Sequence, residues 1–260
     1  MTTKHFLNLR DLSNQDILNI LDRAIERKSQ KQKEKTLAGL KLGLIFEKPS
    51  TRTRISFESG ILNLGGNAIF MSSTDLQLSR GEPVSDTAKV ASSMLDVIAL
   101  RVDKHETLEM FASNSSVPVI NALSDLSHPC QILADLMTFK ENSANELEKV
   151  CWIGDGNNVC NSYVEASKIL DFELSIYCPK EYSPDPSFLN YAKENSSFAN
   201  SREEAAKGAD IITTDVWVSM GDEKTKERAF QGYFVDTGLI ENTGKAVSYT
   251  HLTLPTRLLV

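Results

Sequence analysis

The sequence predicts an α/β fold of the doubly wound, parallel-sheet type, arranged as two domains, and three features of the pattern carry that prediction. Short, nearly continuous apolar runs at 42–46, 68–71, 97–100, 117–121, 150–153, 174–178 and 209–214 have the length and character of strands buried on both faces. Helical periodicity alternates with them, the order that builds a parallel sheet with crossover helices. The residues able to do chemistry fall at the strand-to-helix turns, where open α/β sheets collect ligands. A charged stretch at 140–149 interrupts the pattern and separates a unit at 1–140 from a second at 141–247.

In chain order, Ser13 is placed to cap a helix whose Ile17, Leu18, Leu21 and Ile25 share one face, and 28–35 is a solvated polar stretch. The run at 42–46 feeds Ser50-Thr51-Arg52-Thr53-Arg54, which opens a helix carrying Phe57, Ile61 and Leu64. The first backbone N–H groups of a helix lack internal partners, and the macrodipole adds partial positive charge there. Hydroxyl and guanidinium groups crowd the same spot, and guanidinium grips phosphate oxygens in a fork that lysine cannot match. Two readings stand on this stretch alone: an anion pocket with phosphate as the guest, or a plain helix cap at Ser50 with two solvated arginines; the motifs that follow favour the pocket.

Gly65-Gly66 ends that helix through a left-handed cap. After the strand at 68–71, the polar stretch 72–83 is either a mobile surface segment or a lid. Residues 86–94 resume helical periodicity, and the run at 97–100 ends on Arg101, a guanidinium at the carboxyl end of a strand. Ser127-His128-Pro129-Cys130-Gln131 opens the helix after 117–121. Alone, His128 reads as a helix-start residue making a local hydrogen bond; beside the other turn residues it becomes a candidate for catalysis.

In the second unit, Gly154-Asp155-Gly156-Asn157-Asn158 follows a strand and suggests a dinucleotide site. That reading fails: Val159 stands where the third glycine or alanine belongs, and no clear ribose-binding acid follows the strand at 174–178. After 209–214 comes Asp215-Val216-Trp217-Val218-Ser219-Met220-Gly221, whose acid, hydroxyl and glycine suit the ammonium and carboxylate of an amino acid.

The totals exclude several classes. With 260 residues and 41% hydrophobic content the chain can bury one large core or two moderate ones. A net charge of −7 argues against a nucleic-acid surface, which needs clustered Lys and Arg. A polar N-terminus without an apolar h-region, and no stretch long enough to span a bilayer, place the protein in the cytoplasm, away from membranes. Cys130, Cys151, Cys160 and Cys178 lack metal-ligand spacing and read as free thiols; neither a metal nor another cofactor is expected.

Over roughly the first 245 residues, these motifs in this order make the chain resemble the ornithine carbamoyltransferases of the aspartate/ornithine carbamoyltransferase family. The resemblance implies two α/β domains, the first for carbamoyl phosphate and the second for L-ornithine, the products being L-citrulline and phosphate. It places Ser50, Thr51, Arg52, Thr53, Gln77, Arg101, His128 and Gln131 on carbamoyl phosphate, with Arg52, Arg101 and His128 as the catalytic groups. Arg80-Gly81-Glu82 completes that half-site. It places Asn158, Asp215, Ser219 and Met220 on ornithine. Asp215-x-x-x-Ser219-Met220-Gly221, and Gln77 where the aspartate branch has lysine, select the ornithine branch. Arg54 and Asn157 are candidates for pairing or capping near the site. The resemblance further implies a homotrimer, with Gln77 reaching a neighbouring subunit's site, and a role in arginine biosynthesis or in arginine and citrulline catabolism.

Past residue 247 the pattern departs. The family's His-Cys-Leu-Pro loop, a later arginine and a terminal helix have no counterpart in 248–260, where His251 to Pro255 supplies no thiol. The expectation is a truncated second domain with an unpaired sheet edge and exposed apolar surface, a non-native tail at 248–260, and a chain inactive in turnover. Two alternatives are a carbamoyltransferase for another amine, such as putrescine or an acylated ornithine, and a catalytically dead binding or assembly homologue.

Overall fold

The computed structural model describes residues 3–30, 34–72, 81–217, 224–241 and 247–250, with the backbone alone at 224, 225 and 247–250. The chain forms two compact units, Met1–Leu133 and Ala134–Val260.

The first unit opens with α1 (Asn14–Ser29), capped by a reciprocal pair in which Ser13 accepts the Asp16 N–H and Asp16 accepts the Ser13 N–H. There follow β1 (Lys41–Phe46), α2 (Thr51–Asn63), β2 (Asn67–Ser72), α3 (Val84–Met94), β3 (Val97–Arg101), α4 (His105–Ser113) and β4 (Val119–Leu123), and α5 (Pro129–Asn142) begins in this unit. The four strands are all parallel in the order β2-β1-β3-β4. Period-2 alternation divides the core between the two faces. Leu42, Leu44 and Phe46 of β1 and Ala99 of β3 pack with Ile61 and Phe57 of α2, whereas Ile45, Ile98 and Leu100 pack with Ala88 of α3 and Leu108, Phe111 and Ala112 of α4. Helices on both faces make the sheet doubly wound, as predicted.

Gly65 adopts φ 89°, and the turn closes α2 with two hydrogen bonds, from the Gly66 N–H to the Ile61 carbonyl and from the Gly65 N–H to the Leu62 carbonyl. This double closure delivers the chain directly into β2. Phe6 bridges to Ile120 and exchanges backbone hydrogen bonds with Val119 and Asn121, so the N-terminal segment lies along the outer edge of β4.

The second unit contains β5 (Lys149–Ile153), α6 (Asn158–Leu170), β6 (Glu173–Tyr177), α7 (Pro186–Tyr191), β7 (Ser196–Phe198), α8 (Arg202–Ala206), β8 (Ile211–Thr214), α9 (Thr237–Glu241) and β9 (Val247–Thr250). Its parallel sheet runs β7-β6-β5-β8-β9. Cys151, Ile153 and Ile212 pack with Ala205 and Ala206 of α8 and Leu239 of α9. Helix α6 is fully buried from Cys160 to Ser167 and ends on Asp171 in the left-handed region, at φ 58°. Strand β9 pairs with β8 in the register Val247↔Ile211 to Thr250↔Thr214, so the outer edge of β8 is covered across the position where the sequence changes character.

Candidate functional site

In each unit the strand order reverses at one place. In the first unit this is between β1 and β3, and in the second it is between β5 and β8. The carboxyl edge at such a reversal is where α/β sheets open a crevice for ligands.

At the first reversal, Ser50 caps α2. Its Oγ accepts the Thr53 N–H at 3.4 Å and donates to Thr53 Oγ1 at 2.9 Å. The turn residues line a cavity of about 440 Å³ bounded by Phe46, Glu47, Lys48, Pro49, Ser50, Thr51, Arg54, Phe70 and Ser72. Arg54 packs its guanidinium 3.7 Å from the centroid of the Phe70 ring, and its Nε donates to Glu58 Oε1 at 2.8 Å. Arg54, though exposed, is therefore part of the cavity wall; Arg52, on the first turn of the same helix, is likewise exposed and does not line the cavity.

Across the reversal, Arg101 is the last residue of β3 and the register partner of Phe46. Its carbonyl accepts the Glu47 N–H at 2.8 Å, and Glu47 Oε2 accepts the Asp103 N–H at 2.6 Å, which ties the two turns together. Arg101 is only 8% exposed, and its Nε is buried without a hydrogen-bond partner among the described residues. Burial lowers its pKa, yet a guanidinium stays charged in a protein. A native fold rarely leaves such a donor unsatisfied without a use for it.

His128 follows the next strand, β4, immediately before α5. Its carbonyl accepts the Gln131 N–H at 3.1 Å, and buried Asn121 holds the turn by donating through Nδ2 to the Ser127 carbonyl at 3.3 Å. The order β2-β1-β3-β4 thus sets the turns bearing 50–54, Arg101 and 128–131 along one carboxyl edge.

At the second reversal, Asn157 caps α6 by accepting the N–H groups of Val159 at 3.0 Å and Cys160 at 3.2 Å. Its Nδ2 donates to Asp215 Oδ2 at 2.9 Å, while Asp215 Oδ1 accepts the Val216 N–H at 2.8 Å. Asn158 starts α6 beside them. The glycines of this turn serve the protein's own packing. Gly156 donates to the Tyr182 carbonyl at 2.8 Å, and a Cβ added to it would press on the backbone of 182–184, leaving no approach for a pyrophosphate.

Of the sequence candidates, Ser50, Thr51, Arg52, Thr53, Arg101, His128 and Gln131 fall on the first edge, and Asn158 and Asp215 on the second. Gln77, Arg80, Ser219 and Met220 lie outside the described residues. The sequence reading missed Lys226, whose Nζ pairs with nearly buried Asp155 at 2.5 Å. Charges of both signs surround it at 222–228, and no local spacing reveals a partner 71 residues away. Among the described residues no group of three or more His, Cys, Asp or Glu could hold a metal ion. Burial raises the thiol pKa values of Cys130 and Cys151 to about 12 and that of Cys178 to about 11.

Residues 4–141 match the family model described as aspartate/ornithine carbamoyltransferase, carbamoyl-P binding domain, and residues 147–257 match its Asp/Orn binding domain. The chain belongs to the aspartate/ornithine carbamoyltransferase family. It is 51% identical over 247 residues to an ornithine carbamoyltransferase of Acinetobacter baylyi, covering 92% of this chain and 81% of that protein. A crystal structure of the anabolic ornithine carbamoyltransferase from Campylobacter jejuni superposes with a TM-score of 0.90 at 45% identity, covering 96% of this chain and 86% of that one. The ornithine carbamoyltransferase from Pyrococcus furiosus gives 0.87 at 37% identity, covering 97% and 85%. The solved relatives share the α/β architecture of both units. The two family models meet between 141 and 147, whereas the compact units divide at Leu133 and Ala134, within α5.

Proposed function

We propose that this family member transfers the carbamoyl group of carbamoyl phosphate to the side-chain amine of L-ornithine, giving L-citrulline and phosphate. The observation that carries the reading is the first carboxyl edge, where the Ser50-capped helix start follows β1 and the neighbouring strand β3 ends on buried Arg101, whose Nε has no hydrogen-bond partner among the described residues; the cavity itself opens on the β2 side of that helix start. Such an edge suits an acyl phosphate, with phosphate on the helix start and the acyl oxygen on the guanidinium.

The attacking amine has a lysine-like pKa near 10.4 and must lose its proton first. Its lone pair bonds to the carbamoyl carbon, the carbonyl electrons move to oxygen, and the tetrahedral oxyanion collapses with breakage of the carbon–oxygen bond to phosphate, the proton left on the attacking nitrogen passing to the departing phosphate. Arg52, with Ser50, Thr51 and Thr53, holds the phosphate and stabilises the charge it gains on leaving. Arg101, His128 and Thr53 polarise the carbamoyl oxygen, and Gln131 orients the carbamoyl amide. Asp215 pairs with the α-ammonium of ornithine, and Asn158, Ser219 and the Met220 backbone hold the carboxylate end. Gln77 completes the carbamoyl phosphate half-site from a neighbouring copy in a homotrimer. We assign 1–140 to carbamoyl phosphate and 141–247 to ornithine. Among the described residues no helix is long and apolar enough to cross a membrane; the cytoplasm is the compartment proposed for the enzyme.

The test is calorimetry with each substrate beside a citrulline assay offering ornithine, putrescine and an acylated ornithine. Preference for an acceptor lacking the free α-amino acid group refutes the choice of substrate. Binding of both substrates without citrulline marks a chain inactive in turnover, which the sequence already leads one to expect, or a catalytically dead homologue.

A further inference from the structure

One turn of the second unit holds the chain leaving β8 at two places. Asn157 donates to Asp215 immediately after that strand. Asp155, two residues earlier in the turn, takes the ammonium of Lys226, beyond the stretch of sequence that contains Ser219 and Met220. This pair differs from the chain's surface pairs. The side chains of Asp155 and Lys226 are 5% and 17% exposed, against 36% and 72% for Asp125 and Lys104.

Aromatic rings extend the connection. The Lys226 ammonium lies 5.0 Å from the ring centroid of Tyr182 and 5.9 Å from that of Phe230. Phe230 stacks on Trp217 at 6.0 Å, and Trp217 Nε1 donates to the Tyr233 carbonyl at 3.1 Å. Trp217 is only two residues past Asp215. A largely buried ion pair adds little net stability against an apolar replacement, but breaking it strands a charge, and such pairs are suited to fixing one arrangement over its neighbours.

We propose that Asp155 and Lys226 are positioning residues for the amino-acid half-site: their ion pair, through Phe230 stacked on Trp217, holds Asp215 and Trp217 against the turn that carries Asn158, and so sets affinity for the amino-acid substrate without touching it. The inference rests on the assignment of Asp215 and Asn158 to ornithine.

The experiment uses the whole chain labelled with 5-fluorotryptophan, whose two tryptophans give two fluorine resonances, assigned with Trp217→Phe. Lys226→Met should move the Trp217 resonance in the ligand-free chain; that of Trp152, whose Nε1 donates to the Asp155 carbonyl at 3.0 Å, reports on the turn itself. It should weaken L-ornithine binding, measured with inorganic phosphate present, at least tenfold, and change carbamoyl phosphate affinity less than twofold. Lys226→Arg should restore both readouts, and adding Asp155→Asn to Lys226→Met should weaken ornithine binding no further. An unmoved Trp217 resonance overturns the proposal, as does equal loss of both ligands, which marks a pair that only holds the fold. A parent chain that binds no ornithine refutes the half-site assignment instead, and the resonance then decides alone whether the pair positions this segment.

Discussion

Arg101→Met separates a side chain kept for function from one kept for stability. The guanidinium is 8% exposed at the end of β3, burial lowers its pKa, and its Nε has no hydrogen-bond partner among the described residues. A buried donor left unsatisfied costs about 1–3 kcal/mol, and methionine occupies a similar path without a donor or a charge. Some packing is lost with the shorter side chain, so the net change in stability should lie between zero and a gain of about 2 kcal/mol. The ligand should lose far more. A hydrogen bond to a charged group contributes about 1.5–3 kcal/mol, so carbamoyl phosphate should bind roughly 10- to 100-fold more weakly. Removal of one donor to a developing oxyanion costs about 3–4 kcal/mol in the barrier, or roughly 100- to 1,000-fold in citrulline formation.

Urea unfolding supplies the first number, with the slope confirming an unchanged two-state transition, and calorimetry supplies the second. The reasoning fails if Arg101→Met unfolds more than about 1 kcal/mol more easily while carbamoyl phosphate binds as in the parent. That result would make the guanidinium a structural group and leave the carbamoyl oxygen without its proposed partner.

Asn157→Ala should lower stability by about 1 kcal/mol through loss of the α6 cap and weaken ornithine binding, whereas Asn157→Ser keeps a cap but cannot reach Asp215, so urea unfolding should stay near the parent while affinity falls about tenfold. Gly156→Ala drives a Cβ against backbone at 182–184 and should cost about 1–3 kcal/mol; Gly43→Ala meets only the flexible end of Leu95 and should cost less in the same urea titration. His105 is buried between Ser124 Oγ at 2.7 Å from Nδ1 and Asn8 Nδ2 at 3.4 Å from Nε2, an arrangement that suits the neutral ring with Nδ1 protonated. Desolvation lowers its pKa below 6.5, with Glu109 and Asp125 opposing. Below pH 6.5 the unfolded chain therefore binds a proton that the folded chain refuses, so this contribution to stability is intact above pH 6.5 and is lost as pH falls through it. Urea titrations between pH 7.5 and 5.5 should show that slope, and His105→Gln should reduce it.

The sequence displayed the sheets because both-face burial leaves uninterrupted apolar runs: six-residue β1 is buried at every position after Lys41. It displayed the turns because a helix start with Ser50 before Thr53 has a local physical meaning; Arg54, read only as a candidate for pairing or capping, pairs with Glu58 one turn on along α2. Helix α4 went unseen although Leu108, Phe111 and Ala112 build the core, because its polar start follows Val102-Asp103-Lys104 without a capping side chain. Strand β7 and helix α8, three and five residues long, are shorter than any period can resolve. What no local pattern could carry is the meeting of distant groups. Arg54 stacks on Phe70, Asn157 reaches Asp215, and Asp155 finds Lys226 only because β1 lies beside β2 and β5 beside β8. Strand order converts separate turn motifs into neighbours, so the same doubly wound logic that makes the fold readable from short runs also hides, in its crossovers, which polar groups will hold one another.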